Sequence, residues 1–270
     1  MNNPPLVSII MPVYNTDKFV SEAILSVIGQ SYAQWELLII NDGSTDASLD
    51  IIQAYQDSRI RVFTQKNQGV SKARNLGLEE MKGDFFCFFD SDDFLPQLSI
   101  ESRIKVFERD PHIGYVDGSV DIKDADLNEI INQRTPNYVG NPQKGLCQLD
   151  GGCFFGNTWM IKRDKSITYF FDKNLSHGED LFFYLTYCRD KLFAFTTEST
   201  LHYRTGNTSA MSNLTGLEDS YRFIYEKLKN NNWVSNELAT AFWTKSRSIM
   251  VRTYLGNLKP LKAFNTYISW

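Results

Sequence analysis

Asp90, Asp92 and Asp93 stand within four residues, directly after the apolar run Phe85–Phe89. Like charges crowded at the end of a buried strand repel and are partly desolvated, and a divalent cation relieves both penalties. An all-oxygen set without sulfur suits Mg2+ or Mn2+ rather than Zn2+, and such ions commonly sit between one or two carboxylates and a substrate phosphate. The plainer use of these aspartates is to cap the helix after Pro96, but one would suffice for that. Asp42 ends a second apolar run. It reads either as a turn or cap residue in Asn41-Asp42-Gly43-Ser44 or as an acceptor for a base N–H or ribose hydroxyl. Tyr14, in Pro12-Val13-Tyr14-Asn15, either stacks on a base or covers the edge of the core. Gly69 and the amides opening the next helix lie between Lys66 and Arg74, an arrangement that favours an anion; isolated Lys and Arg more often solvate a helix face. Glu179-Asp180 begin an apolar segment, as ordinary partners of a helix dipole or as a general base aimed at a substrate. His202 closes an apolar strand, as a satisfied edge histidine or as a third metal ligand. No G-x-x-x-x-G-K-[ST] or G-x-G-x-x-G occurs, so neither of those phosphate cradles is supported.

These residues need a scaffold, and the apolar pattern supplies one. Leu6–Met11, Trp35–Ile40, Ile60–Phe63 and Phe85–Phe89 read as strands, the first ended by Pro12. Between them, Val20, Ala23, Ile24 and Val27, then Leu49, Ile52 and Tyr55, then Val70, Ala73 and Leu76 recur at helical spacing; Ile100, Ile104 and Phe107 follow Pro96. Strand–helix alternation predicts an α/β fold with a mainly parallel sheet covered by helices on both sides. Ligands bind such sheets outside the carboxyl ends of the strands, where the polar stretches ending at Asn15, Ser44, Gly69 and Asp93 all fall. Beyond residue 113 the pattern loosens. Strands are expected at 113–122, 154–161 and 192–203, a helix at 179–190, a turn-rich stretch over 123–150, and helices over 217–256 broken at Asn230-Asn231-Asn232.

The 270 residues carry a net charge of −4, with 42% hydrophobic and 22% charged residues, which is ordinary for a globular protein. The charge is uneven. Residues 221–270 hold eight Lys/Arg against two Glu, together with ten aromatic residues, while the remaining chain is acidic. A uniformly basic nucleic-acid binder is disfavoured. The basic, aromatic tail fits either a helical subdomain with a solvated face or a helix drawn to an anionic membrane surface. The N-terminus lacks the basic and apolar regions of a secretory signal, and four dispersed cysteines (Cys87, Cys147, Cys153, Cys188) suggest a reduced, cytoplasmic protein.

Taken in order, Val7–Asn15, Asn41–Asp46, Asn67–Asn75, Asp90-Ser91-Asp92-Asp93, Gly178-Glu179-Asp180 and Tyr203-Arg204 resemble the family 2 glycosyltransferases with the GT-A fold, of the bacterial surface-polysaccharide type. The resemblance covers residues 6–210 and implies a catalytic domain over 1–210, with a nucleotide-binding half (1–110) and an acceptor half (111–210), followed by a helical extension over 211–270. It implies inverting transfer of a sugar from a nucleotide diphosphate, UDP by family frequency, to a glycan or lipid-linked acceptor. Pro12, Val13, Tyr14, Asn15, Asp42, Lys66, Gly69, Arg74, Asp90, Ser91 and Asp92 would then hold the donor. Asp92, with Asp90, Asp93 and His202, would hold Mn2+ or Mg2+, and Asp180 would be the base. Acceptor contacts are expected from Asn157, Thr158, Trp159 and Glu179. A catalytically inactive nucleotide- or carbohydrate-binding module on the same fold is the alternative. A nucleotidyltransferase would need a glycine-rich basic loop after the first strand, and Pro12-Val13-Tyr14-Asn15 is not one.

Overall fold

The computed structural model describes residues 4–175, 177–206 and 213–269, so the expected boundary at 210/211 and Trp270 fall outside the described residues. Four parallel strands, β1 (Val7–Val13), β2 (Trp35–Asn41), β3 (Ile60–Thr64) and β4 (Phe85–Phe88), form one side of the sheet in the order β3-β2-β1-β4. Helices α1 (Val20–Ile28), α2 (Ser48–Gln53) and α3 (Val70–Glu80) connect them, and α4 (Ser99–Arg109) leads onward. The second half adds β5 (Ile113–Lys123), β6 (Ile130–Arg134), α5 (Pro142–Gln148), β7 (Met160–Lys162), α6 (Glu179–Tyr187) and β8 (Leu192–Arg204). β7 joins the halves by pairing antiparallel with both β4 and β5; β6 pairs antiparallel with β5, and β8 runs parallel along it. Three helices close the chain: α7 (Leu214–Asn230), α8 (Asn236–Gly256) and α9 (Pro260–Ser269).

β1 and β2 are buried at every position, so each face of the sheet needs its own apolar cover. Ile9, Met11, Leu37 and Ile39 point to one face, under Ala23, Ile24 and Val27 of α1 and Ile100 and Ile104 of α4. Ile10, Leu38, Ile40, Phe86 and Phe88 point to the other, under α3 and α6. Ile224 and Leu228 of α7 and Phe242 of α8 join this second core, whereas Met250, Tyr254 and Ala263 build a small cluster with Leu214 and Leu217. The outer helices are therefore tied to this face of the sheet through α7 and the first half of α8. Among the described residues, no helix is long and apolar enough to cross a membrane.

Pro12 does not end β1, which continues to Val13. Ile10 accepts from the Phe89 N–H on the β4 side, and Pro12, two residues on, faces the same way. The β1–β4 ladder ends at Ile10 and Phe88, so the missing N–H of Pro12 removes no ladder bond. The third strand of the second half is shorter than 154–161 and begins only at Met160. β6 and α5 occupy the stretch expected to be only turns.

Candidate active site

The loops beyond the parallel strands bind one another. After β1, the Asn15 N–H donates to Ser44 Oγ (3.1 Å) and Asn15 Oδ1 accepts from the Thr45 N–H (2.8 Å). The Thr16 N–H donates to Ser48 Oγ (3.0 Å), and the Thr16 hydroxyl meets that of buried Ser91 at 3.0 Å. The β1 loop is thus pinned between the loops after β2 and β4. Tyr14, half-exposed, projects from it, while Pro12 and Val13 are buried beneath. Asp42 is buried, and both its oxygens are engaged: Oδ1 accepts from Gln65 Nε2 (2.7 Å) and the Gln68 N–H (2.9 Å), Oδ2 from the Gly69 N–H (2.8 Å). The carboxylate shapes the 65–69 segment that leads into α3, with Lys66 and Gly69 exposed on it.

Arg74 reaches from α3 into the centre of the site. Although isolated arginines usually lie in water, this guanidinium is buried. Its Nη2 donates to Asp90 Oδ1 (2.9 Å) and its Nη1 to Glu179 Oε1 (3.0 Å). Asn157, its amide oxygen turned toward the guanidinium, accepts from both nitrogens at 2.9 Å. Phe171 and Phe88 flank it at 5.3 and 6.0 Å. One cation therefore joins the end of β4, the loop before β7 and the start of α6, segments up to 105 residues apart.

Asp180 follows Glu179 in the first turn of α6. Its Oδ1 accepts from the Leu181 N–H (2.7 Å), and its Oδ2 faces the Cα of Gly156, where an added Cβ would lie 3.7 Å away. Burial, then the neighbouring charge of Glu179, push its pKa up to about 7. Burial and the charge of Asp180 push the Tyr221 hydroxyl on α7 up to about 12, and Tyr221 packs against the core that holds Leu181 and Phe182 of α6. A carboxyl that titrates near neutrality beside the Arg74 ion pairs suits general-base work.

Arg204, at the end of β8, carried no role in the sequence reading. Its N–H donates to Asp93 Oδ1 (2.9 Å), its Nε to the Asp92 carbonyl (2.7 Å), and its Nη2 to Glu22 (2.5 Å). It holds the acidic turn in place; the Tyr203-Arg204 pair after an apolar strand was the available signal. The reciprocal backbone bonds between Phe94 and His202 (3.1 and 2.8 Å) fix the same junction.

The expected ligands Asp90, Asp92, Asp93 and His202 do not form a single cage; among the described residues, no three His, Cys, Asp or Glu side chains do. Asp93 is buried against Arg204, and burial followed by the charges of Asp90 and Asp92 holds its pKa well above the usual carboxylate range. The His202 ring stacks on Phe94 with centroids 5.4 Å apart, and its Nε2 lies 3.4 Å from Asp121 Oδ2. Burial and Lys123 hold that imidazole below its ordinary pKa. Two corrections concern the acceptor side. Trp159 is fully buried, donates to the Cys153 carbonyl (2.8 Å) and stacks on Tyr184 at 4.4 Å, so it is core rather than a sugar platform. Thr158 is buried too, its hydroxyl donating to Asp117 Oδ2 (2.9 Å).

The remaining charges favour a cation. Asp90, Asp92, Asp93, Glu179 and Asp180 surround this centre, with Arg74 and Arg204 as the guanidinium groups bonded among them. The surplus is felt by Tyr203, whose pKa is raised by burial and then by Asp93, Asp92 and Asp90. Half-exposed Asp90 and partly exposed Asp92 suit an oxygen-seeking ion completed by substrate phosphates rather than by further protein ligands.

Residues 8–170 match the family described as Glycosyl transferase family 2, and the chain belongs to that family. It is 35% identical over 78% of its length to an uncharacterized glycosyltransferase of Haemophilus influenzae, covering 84% of that protein. It is 30% identical over 84% of its length to TuaG of Bacillus subtilis, named for teichuronic acid biosynthesis, covering 90% of it. Among solved structures, TarS 1–349 of Staphylococcus aureus in complex with UDP-GlcNAc matches 92% of this chain and 72% of its own, with a TM-score of 0.71 at 18% identity. The protein is a family 2 glycosyltransferase with the GT-A fold.

Proposed function

We propose that this glycosyltransferase moves a sugar, with inversion, from a UDP-sugar to a hydroxyl of a glycan or lipid-linked acceptor during cell-surface polysaccharide synthesis, on the cytoplasmic side of the membrane. The observation that carries this reading is Arg74, which binds a carboxylate of the acidic turn and one beside Asp180 at the same time. The donor base and ribose would lie along Pro12–Asn15, under Tyr14, against the 65–69 segment shaped by Asp42. The diphosphate would lie toward Ser91, Asp90 and Asp92.

Mn2+ or Mg2+ held by Asp92 and Asp90 would neutralise charge developing on the leaving diphosphate. Asp180 accepts the proton of the acceptor hydroxyl as its oxygen attacks the anomeric carbon and the bond to the diphosphate breaks. Single displacement needs no enzyme nucleophile. Arg74 stays cationic and offsets part of the negative charge that Glu179 places beside the base. Of the acceptor-side residues, Asn157 and Glu179 line this centre through Arg74.

Asp180→Asn tests the assignment. Donor binding, read as a thermal shift with UDP-sugars and Mn2+, should persist, while transfer should fall by about 10²–10⁴-fold. Transfer undiminished by the substitution would refute the assigned base, whereas donor binding with no transfer even by the wild type would favour an inactive binding module. In the wild type, transfer should rise with pH to a plateau above about 7, because the base must be ionised and its pKa is raised to about 7.

A further inference from the structure

We propose that the outer face of α9 seats the protein on an anionic membrane surface. The inner face of this helix is anchored: Ala263 and Thr266 are buried, Thr266 Oγ1 bonds Glu218 Oε1 at 3.2 Å, and Lys262 Nζ bonds Thr215 Oγ1 at 3.2 Å. The opposite face presents Leu261, Phe264, Tyr267 and Ile268, each 61–80% exposed, and the preceding turn adds Leu258 at 89%. A single exposed leucine is ordinary, whereas a continuous apolar strip on a packed helix marks a contact surface.

Charge decides the occupant. No Asp or Glu follows Glu237, while Lys245, Arg247, Arg252, Lys259 and Lys262 all do. The Arg247 guanidinium lies 5.5 Å from the Tyr267 ring, at the edge of the strip, and Arg252 and Lys259 are exposed. An apolar strip bordered by cations without acids matches the boundary between acyl chains and anionic headgroups. A symmetric pairing of two copies through this face would instead set like charges against each other. The face turns away from the buried cluster of Leu214, Leu217, Met250, Tyr254 and Ala263 that ties α9 to α7 and α8.

The inference is independent of the donor chemistry, and its test reads binding alone. The full chain is floated with vesicles of phosphatidylcholine, with and without phosphatidylglycerol. It should float with the mixed vesicles at low salt and be released as salt rises. Leu261→Glu with Phe264→Glu should abolish flotation. Arg252→Gln and Lys259→Gln should weaken it roughly fivefold each, from about 1 kcal/mol per cation near the surface. Melting temperature and the donor-induced thermal shift should not change in any of these variants. Absence of flotation with mixed vesicles, or flotation that survives the double glutamate variant, overturns the proposal. So does light scattering that shows a dimer lost in that variant, which assigns the face to a second copy.

Discussion

The loops after β1, β2 and β3 and the turn that opens α6 reach the same crevice by different means. On the donor side, positions come from several separate bonds: neutral ones from Asn15 to Thr45 and from Thr16 to Ser48 and Ser91, and charge-assisted ones from the Gln68 and Gly69 amides to the Asp42 carboxylate. No single one is decisive, because each loop is held from two directions. On the base side the position of Glu179 depends on one buried cation, Arg74, whose Nε finds no partner of its own among the described residues. A web of separate bonds spreads the hold on each loop over several partners, whereas a buried ion pair lends its charge to whatever titrates beside it. The donor side is therefore expected to tolerate single losses, and the base side is not.

The sharpest break of that contrast is Arg74→Met. It leaves Glu179 partly buried without its cation and removes a charge that holds the pKa of Asp180 down. Removing one member of a buried pair costs about 3–5 kcal/mol. Urea unfolding should record a loss of that size, with transfer abolished. Thr16→Val, which removes one neutral bond on the donor side, should cost about 1 kcal/mol. Equal losses in the two variants would erase the distinction.

The next effect has the opposite sign. Ionised Asp180 is disfavoured by its burial, so its folded pKa of about 7 lies above the ordinary carboxylate value of 3.8. The folded protein therefore holds an extra proton between those values, and its stability falls as pH rises through about 4 to 7. Asp180→Asn removes this penalty. Measured without donor or cation, the variant should match the wild type near pH 4 and exceed it at pH 8 by up to about 4 kcal/mol. A gain that does not vary with pH would detach the stabilisation from the carboxylate.

The two regions also differ in how far the sequence discloses them. β1 to β4 are legible because continuous apolar runs alternate with helical spacing and end in polar clusters. Arg74 carries no mark in its own segment: its partners lie 16 and 105 residues away, and nothing local separates a buried guanidinium from a solvated one. Trp159 is misread for a similar reason, since its place between Tyr184 and Phe193 depends on α6 and β8. β6 is exposed at every position and so lacks the alternation that marks a half-buried strand. α5 does carry a start signal, Asn141-Pro142, whose asparagine accepts from the Lys144 N–H at 3.0 Å, but the helix is too short to show periodicity.

The smallest effect separates the two glycines of the donor loops. Gly43 and Gly69 both have positive φ, 72° and 89°. An alanine Cβ at Gly43 would stand 2.8 Å from the Asn67 nitrogen and 3.3 Å from the Gln65 carbonyl, backbone atoms that the bonds to Asp42 hold in place. At Gly69 a Cβ would meet nothing within 4 Å. Gly69→Ala thus isolates the conformational penalty, about 1–3 kcal/mol at φ 89° and ψ 162°, and Gly43→Ala adds a clash to a penalty of its own. The Gly43 variant should melt lower than the Gly69 variant, and the difference should shrink when Asp42→Asn loosens the 65–69 segment. The Gly69 methyl projects into the space beside the amides opening α3. If the donor occupies that space, Gly69→Ala should raise the KM for the nucleotide sugar severalfold, while its melting temperature falls only by the conformational penalty. An unchanged KM would move the donor away from this helix start and leave the Asp42 loop as scaffold alone.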